Sequence, residues 1–151
     1  MKFEELNVKP EIVSVLKQEG IVEATTIQEK TIPLVQQGKD VIGISRTGSG
    51  KTVSFGVPML EKIVVGQGIQ GLVLAPTREL ANQISREFRK WSKNLGFQVA
   101  TIFGGVGMGP QIEALSRSEI VVGTPGRMLD HLNRGNLDLT KSCSIHALAK
   151  K

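Results

Sequence analysis

Residues 40–52, DVIGISRTGSGKT, constrain this fold more than any other stretch. The apolar run at 41–44 predicts a short buried strand. The chain then turns through Thr47, Gly48, Ser49, Gly50, Lys51 and Thr52, and a helical pattern follows Thr52. Strand, glycine-rich turn, Gly-Lys-Thr and helix in that order make a cradle for phosphate. Gly48 and Gly50 let the backbone wrap an anion with no Cβ in the way. Successive N–H groups then converge with the positive end of the next helix. Lys51 is placed to reach the outer phosphates and the Thr52 hydroxyl to ligate Mg²⁺. The strict pattern has glycine where this chain has Ser45, a small residue that fits the same turn. A Gly/Ser linker that happens to contain Lys-Thr is the alternative, and the strand before and helix after weigh against it.

The 151 residues make one domain, large enough for a real core. A net charge of +5 and a pI near 9.6 lean toward polyanionic partners. The single cysteine, Cys143, allows no internal disulfide and points to a reducing, cytoplasmic setting. The charged N-terminus has no signal-peptide core, and no apolar run reaches membrane-spanning length.

In chain order, Phe3 precedes a helix that starts near Pro10 and stops at Gly20, with Ile12, Val13, Val15 and Leu16 as its apolar stripe. A second helix starts near Thr25 and Thr26. Thr25 with Gln28, and Thr26 with Glu29, have the spacing of a capping box. Pro33 is expected to disturb this helix early, and Gly38 to close it. Residues 53–65 read as a helix bent at Pro58. Residues 71–75 read as a strand, and 78–94 as a long amphipathic helix with Leu80, Ile84, Phe88 and Trp91 facing the core. Residues 97–103 read as a strand, 104–109 as a glycine-rich loop and 111–115 as a short helix. Residues 119–122 read as a further strand, followed by a helix through about Leu132. His131 and His146 read as surface or tail residues without metal partners.

Strands alternating with helices predict a parallel sheet with ligands gathered at the carboxyl ends of the strands. Those exits carry the phosphate loop, then Pro76-Thr77-Arg78, then Gly104-Gly105, then Thr124-Pro125-Gly126-Arg127. Small residues with free N–H groups suit a phosphodiester backbone, which they approach closely without reading base identity. Read locally, Thr77 and Thr124 are also helix caps, Arg78 and Arg127 also surface ion-pair partners, and the glycines also plain turns.

Taken together, these segments resemble the first RecA-like domain of a DEAD-box RNA helicase, from Phe3 to about Leu139. Gly20, Ile21, Thr25, Ile27 and Gln28 are similar to the Q motif, with Ala24 where that family has proline. Residues 45–52 resemble motif I, residues 76–81 motif Ia, Gly104-Gly105 the double-glycine motif and residues 124–127 motif Ib. The resemblance implies a P-loop NTPase fold, a three-layer α/β/α sandwich with a mostly parallel sheet, incomplete at its C-terminal end. It implies residues 1–139 as a partial ATP-binding domain, with the Q motif at 3–28, and 140–151 as an atypical tail from truncation or frameshift. It implies ATP and Mg²⁺ as cofactors. Phe3, Thr25, Gln28, Ser45, Arg46, Thr47, Gly48, Ser49, Gly50, Lys51 and Thr52 would hold the nucleotide, and Thr52 the metal. Phe3 would stack on adenine and Gln28 read its edge, while packing under the first helix remains open for Phe3 and capping for Gln28. Pro76, Thr77, Arg78, Gly104, Gly105, Thr124, Gly126 and Arg127 would touch RNA phosphates and sugars.

That family continues into a strand ending in Asp-Glu-Ala-Asp and then into a second RecA-like domain. Here the sequence reads Lys141-Ser142-Cys143-Ser144 and on to Lys151, with no paired carboxylates. The expectation is therefore weak ATP binding at best and no RNA-stimulated hydrolysis by this chain alone, and an unpaired sheet edge prone to aggregation, with residues 145–149 able to pair only weakly. The alternatives are a non-enzymatic nucleotide- or RNA-binding module or decoy, and a different P-loop NTPase such as a nucleotide kinase.

Overall fold

The computed structural model describes residues 1–140 and the backbone of residues 145–148. The chain divides into two compact units, Met1–Lys62 and Ile63–Lys151.

The first unit is helical. A single 3₁₀ turn, Phe3–Leu6, precedes α1 (Pro10–Gln18), α2 (Thr26–Gln36) and α3 (Lys51–Lys62). Proline at the first position and a glycine with φ 77° just beyond the end delimit α1. Ile12, Val13, Val15 and Leu16 are all buried, as their spacing predicts. Helix α3 packs on α1 and α2, and the 3₁₀ turn packs on the same pair. Gln36 Nε2 donates to Glu61 Oε1 at 2.9 Å, and Lys9 Nζ donates to the Glu61 carbonyl at 2.7 Å. Pro33 and Pro58 both lie inside helices. Neither stops its helix: one missing hydrogen bond is outweighed when the helix is held along its length by a neighbour. The expectation that Pro33 interrupts α2 early is thus corrected.

Residues 41–44 form no strand. Ile42 and Ile44 are 90% and 88% exposed, although their composition suits a sheet interior. A strand exists only through the ladder it shares, and none of the ladders among the described residues includes this segment.

The second unit carries a four-stranded parallel sheet in the order β2-β3-β1-β4, with β1 at Gly71–Leu74, β2 at Val99–Ile102, β3 at Ile120–Gly123 and β4 at Ile145–Leu148. Helices α4 (Arg78–Leu95), α5 (Met108–Ser116) and α6 (Pro125–Asn133) connect them. Alternation sorts the side chains onto two covered faces. Leu72, Val121, Ala100 and Ile102 meet Leu115 of α5 and Met128 of α6. On the other face Thr101 Oγ1 donates to Ser85 Oγ of α4 at 2.7 Å. Ile84, Phe88 and Trp91 of α4 are buried, and the two aromatic rings meet edge to face at 5.1 Å.

The loss of the family's later strands is expected to leave a sheet edge unpaired, with residues 145–149 able to pair only weakly. Residues 145–148 do pair: β4 lies parallel to β1, with Gly71 opposite Ile145 and Leu74 opposite Leu148, and it stands last in the strand order, so its own outer edge meets no other described strand. A ladder is made by main-chain groups, so a segment of unfamiliar composition takes the position. Cys143 and residues 149–151 lie outside the described residues, as does the His146 side chain.

Candidate functional site

In the first unit the phosphate loop leads directly into α3, and Lys51 is the first helical residue. The N–H groups of that turn have no intrahelical acceptor, and the helix dipole adds partial positive charge there. Gly48 and Gly50 have φ of 83° and 87°, in the left-handed region that the turn needs. Lys51 Nζ donates to the Ser45 carbonyl at 2.6 Å, drawing the two ends of the loop together. The Ser45 and Ser49 hydroxyls are hydrogen-bonded to each other across it. Ser45, Ser49, Gly50, Lys51 and Thr52 are half-buried, whereas Arg46, Thr47 and Gly48 are exposed.

The start of α2 grips this loop. Thr25 Oγ1 donates to the Ser49 carbonyl at 2.7 Å, and Gln28 Nε2 donates to the Gly50 carbonyl at 3.0 Å. Gln28 Oε1 accepts the Thr25 backbone N–H at 2.9 Å, the arrangement expected of a capping box. Gln28 is buried, so its amide joins helix start and phosphate loop within the protein. An added Cβ on Gly50 would overlap Gln28 Nε2. Phe3 is fully buried, with no ring face open to a base. Of its two readings, packing under the helices is the one this structure displays: the ring is fully buried, and the 3₁₀ turn that carries it packs on α1 and α2.

In the second unit the exits of β1, β2 and β3 converge on the loop after β2. Thr77 caps α4 by accepting the Leu80 N–H at 3.2 Å. Arg78 places its guanidinium 4.5 Å from the centre of the Phe103 ring, beside Gly105, whose φ is 83°. Arg127 Nη1 donates to the Val106 carbonyl at 2.9 Å and to Gln111 Oε1 at 3.2 Å, while its contact with Asp130 is a longer 3.9 Å. Arg78 and Arg127 thus both seat on the double-glycine loop. Pro76, Gly104, Gly105 and Gly126 are exposed, and Thr77 and Thr124 half-buried.

Sequence reasoning passed over Gln111 and misplaced His131. His131 is fully buried, not a surface residue. Its Nε2 lies 2.8 Å from Gln111 Oε1, and Asn136 Nδ2 lies 3.3 Å from its Nδ1. Gln111 Nε2 donates to the Phe103 carbonyl at 3.0 Å, so its Oε1 faces both Arg127 and His131 as an acceptor. This fixes a neutral imidazole with its proton on Nε2. Burial first, and then the Arg127 charge, push the His131 pKa below its ordinary value. Gly123 was also passed over: a Cβ there would overlap the Ile102 carbonyl, so glycine sets the close approach of β2 and β3. No spacing marks these residues in the sequence, because the contacts join separate elements.

Among the described residues no group of three or more His, Cys, Asp or Glu is arranged to hold a metal. A cation in the first unit would therefore rely on the phosphates it accompanies. Thr52 lies in the first turn of α3.

The family model for DEAD/DEAH box helicases matches residues 25–146. The chain belongs to this family. It is 50% identical over 141 residues to the DEAD-box ATP-dependent RNA helicase CshA of Streptococcus pneumoniae serotype 4, covering 92% of this chain and 27% of that protein. The crystal structure of a DEAD box protein from the hyperthermophile Methanococcus jannaschii superposes with a TM-score of 0.88 at 43% identity, over 94% of this chain and 39% of that one. A hypothetical ATP-dependent RNA helicase from Sulfolobus tokodaii superposes with a TM-score of 0.79 at 31% identity, over 91% of this chain and 49% of that one. The chain thus spans about a quarter of the length of the curated relative. No helix among the described residues is long and apolar enough to cross a membrane.

Proposed function

We propose that this chain is the ATP- and RNA-holding part of an ATP-dependent RNA helicase of the cytoplasm. The observation that carries the reading is the seating of Gln28 and Thr25 on the loop whose Lys51 opens α3. ATP phosphates would lie on the loop amides and Lys51, with Mg²⁺ joining them to Thr52. The nucleotide and its metal supply the phosphoryl group and the charge that its transfer requires. The protein's part is to bind, orient and withhold water. Gln28 keeps one amide proton and one lone pair beyond the bonds it makes, which fits the edge of adenine. Pro76, Thr77, Arg78, Gly104, Gly105, Thr124, Gly126 and Arg127 would hold RNA by its backbone.

Unwinding belongs, in this proposal, to an architecture with a second RecA-like domain. The 151 residues alone carry no Asp-Glu-Ala-Asp run, and each missing electrostatic element of this kind costs roughly 10² to 10³ in rate. The chain by itself should bind ATP weakly and show no RNA-stimulated phosphate release above a Lys51→Ala control in a malachite-green assay. Release above that control would refute the inactivity. Equal affinity of wild type and Lys51→Ala for a fluorescent adenosine nucleotide would refute the site. The pairing of β4 with β1 favours a second reading, a self-contained nucleotide- or RNA-binding module without hydrolysis.

A further inference from the structure

Strand β2 is the last in the sheet order, so among the described residues one of its edges meets no other strand. Along that edge runs an open groove of about 500 Å³, walled by α4 on one side and α5 on the other. Arginines from three places face it: Arg78 at the start of α4, Arg89 further along the same helix, and Arg117 at the end of α5. Residues 78 and 89 are close to a whole number of helical turns apart, which puts both on one stripe of α4.

Two of these guanidiniums are already fixed. Arg89 Nη2 donates to Thr101 Oγ1 at 2.7 Å, and Arg78 stacks over Phe103 at 4.5 Å. Their anchor points are Thr101 in β2 and Phe103 just past its end, two residues on, about 7 Å along an extended chain. That step is comparable to the distance between neighbouring phosphates of an extended nucleic-acid strand. Arg117 forms an exposed pair with Glu113 at 3.2 Å, a contact weak enough to exchange for a phosphate. Protection of an open sheet edge would explain Arg89 alone. It does not explain why Arg78 and Arg117 face the same groove.

We propose that this groove is a second anchoring segment for single-stranded RNA, held by Arg89 and Arg117 as the strand leads away from Arg78 and the double-glycine loop. The inference rests on the RNA-binding reading above and lengthens its footprint. Recognition is of phosphates by planar forks, without base identity.

The test is fluorescence anisotropy of labelled oligouridylates of about six and about twelve nucleotides with the 151-residue chain, titrated with salt. The double variant Arg89→Gln/Arg117→Gln should bind the short oligomer as wild type does. It should bind the long one about tenfold more weakly, and its log-affinity against log-salt slope should fall by about 1.4, roughly 0.7 for each lost contact. Unchanged affinity and slope for the long oligomer would overturn the groove while leaving the RNA reading intact. Equal weakening of both oligomers would also overturn it, since a local anchor cannot act on a strand that does not reach it. The pair Arg89→Lys/Arg117→Lys keeps the charge and should restore most of the slope; no restoration counts against a phosphate contact. Wild-type protein that binds neither oligomer would sink both this inference and the RNA reading.

Discussion

Gln28 Nε2 and the Gly50 carbonyl are hydrogen-bonded at 3.0 Å, and at Gly50 there is no room for a Cβ beside that amide. Helix α2 and the phosphate loop therefore share one atom pair that depends on glycine twice, for its φ of 87° and for its missing side chain. Gly50→Ala should displace Gln28, strain the turn and cost about 1–3 kcal/mol. Urea unfolding should show the lower midpoint, and adenosine nucleotide affinity should fall with it. An unchanged midpoint would mean the loop relaxes freely.

His131 makes stability depend on pH in a defined direction. Its pKa is lowered in the folded protein, by burial and then by Arg127, relative to about 6.5 when unfolded. The unfolded chain thus binds the proton more readily, and acid favours unfolding. Thermal midpoints should hold steady above about pH 7 and fall as pH drops below about 6.5. His131→Gln should flatten the pH 5 to 7 window; a slope unchanged in the variant would assign it to other groups.

Glu119 holds two loops from inside. Its carboxylate accepts the Gln98 N–H at 2.8 Å and the Gly66 N–H at 3.2 Å, and the residue is buried. Glu119→Ala leaves both donors without this partner and should cost about 2–4 kcal/mol, while Glu119→Gln keeps one acceptor and should cost less. Chemical denaturation of the two variants side by side checks the ranking.

Trp91 presents the opposite case. The residue is fully buried and its indole N–H has no hydrogen-bond partner. Trp91→Phe removes that polar group and keeps most of the ring packing against Phe88, so it should change stability by less than about 1 kcal/mol. Trp91→Ala empties the site and should cost about 3–5 kcal/mol. Circular dichroism melts distinguish the pair.

The helices of both units and the strands at 71–74, 99–102 and 120–123 are legible in the sequence because local signals agree with the fold. Periodic apolar residues, Pro10 and Pro125 at helix starts, and glycines just past helix ends mark them. Residues 41–44 show where such signals stop: an apolar run carries the propensity of a strand but no information on whether a neighbour will pair with it. Residues 145–148 show the converse, pairing where the sequence offers only a weak strand signature. The phosphate loop was legible because its chemistry lies in consecutive residues. Gln111 and His131 were not, since their bond spans two helices and depends on how α5 and α6 meet.

Strand β1 is flanked by β3 on one side and β4 on the other, so each of its amides lies between two parallel neighbours. Strand β3 is likewise flanked, by β2 and β1, so in deuterium exchange the protons of residues 71–74 and 120–123 should be the last of this sheet to be replaced. Those of β2 and β4 should be lost sooner, since the outer border of each meets no other described strand. Exchange would thus begin at both rims, the arginine-lined one among them, and reach the middle of the sheet last, which makes residues 145–148 the cover on one side of its slowest-opening part.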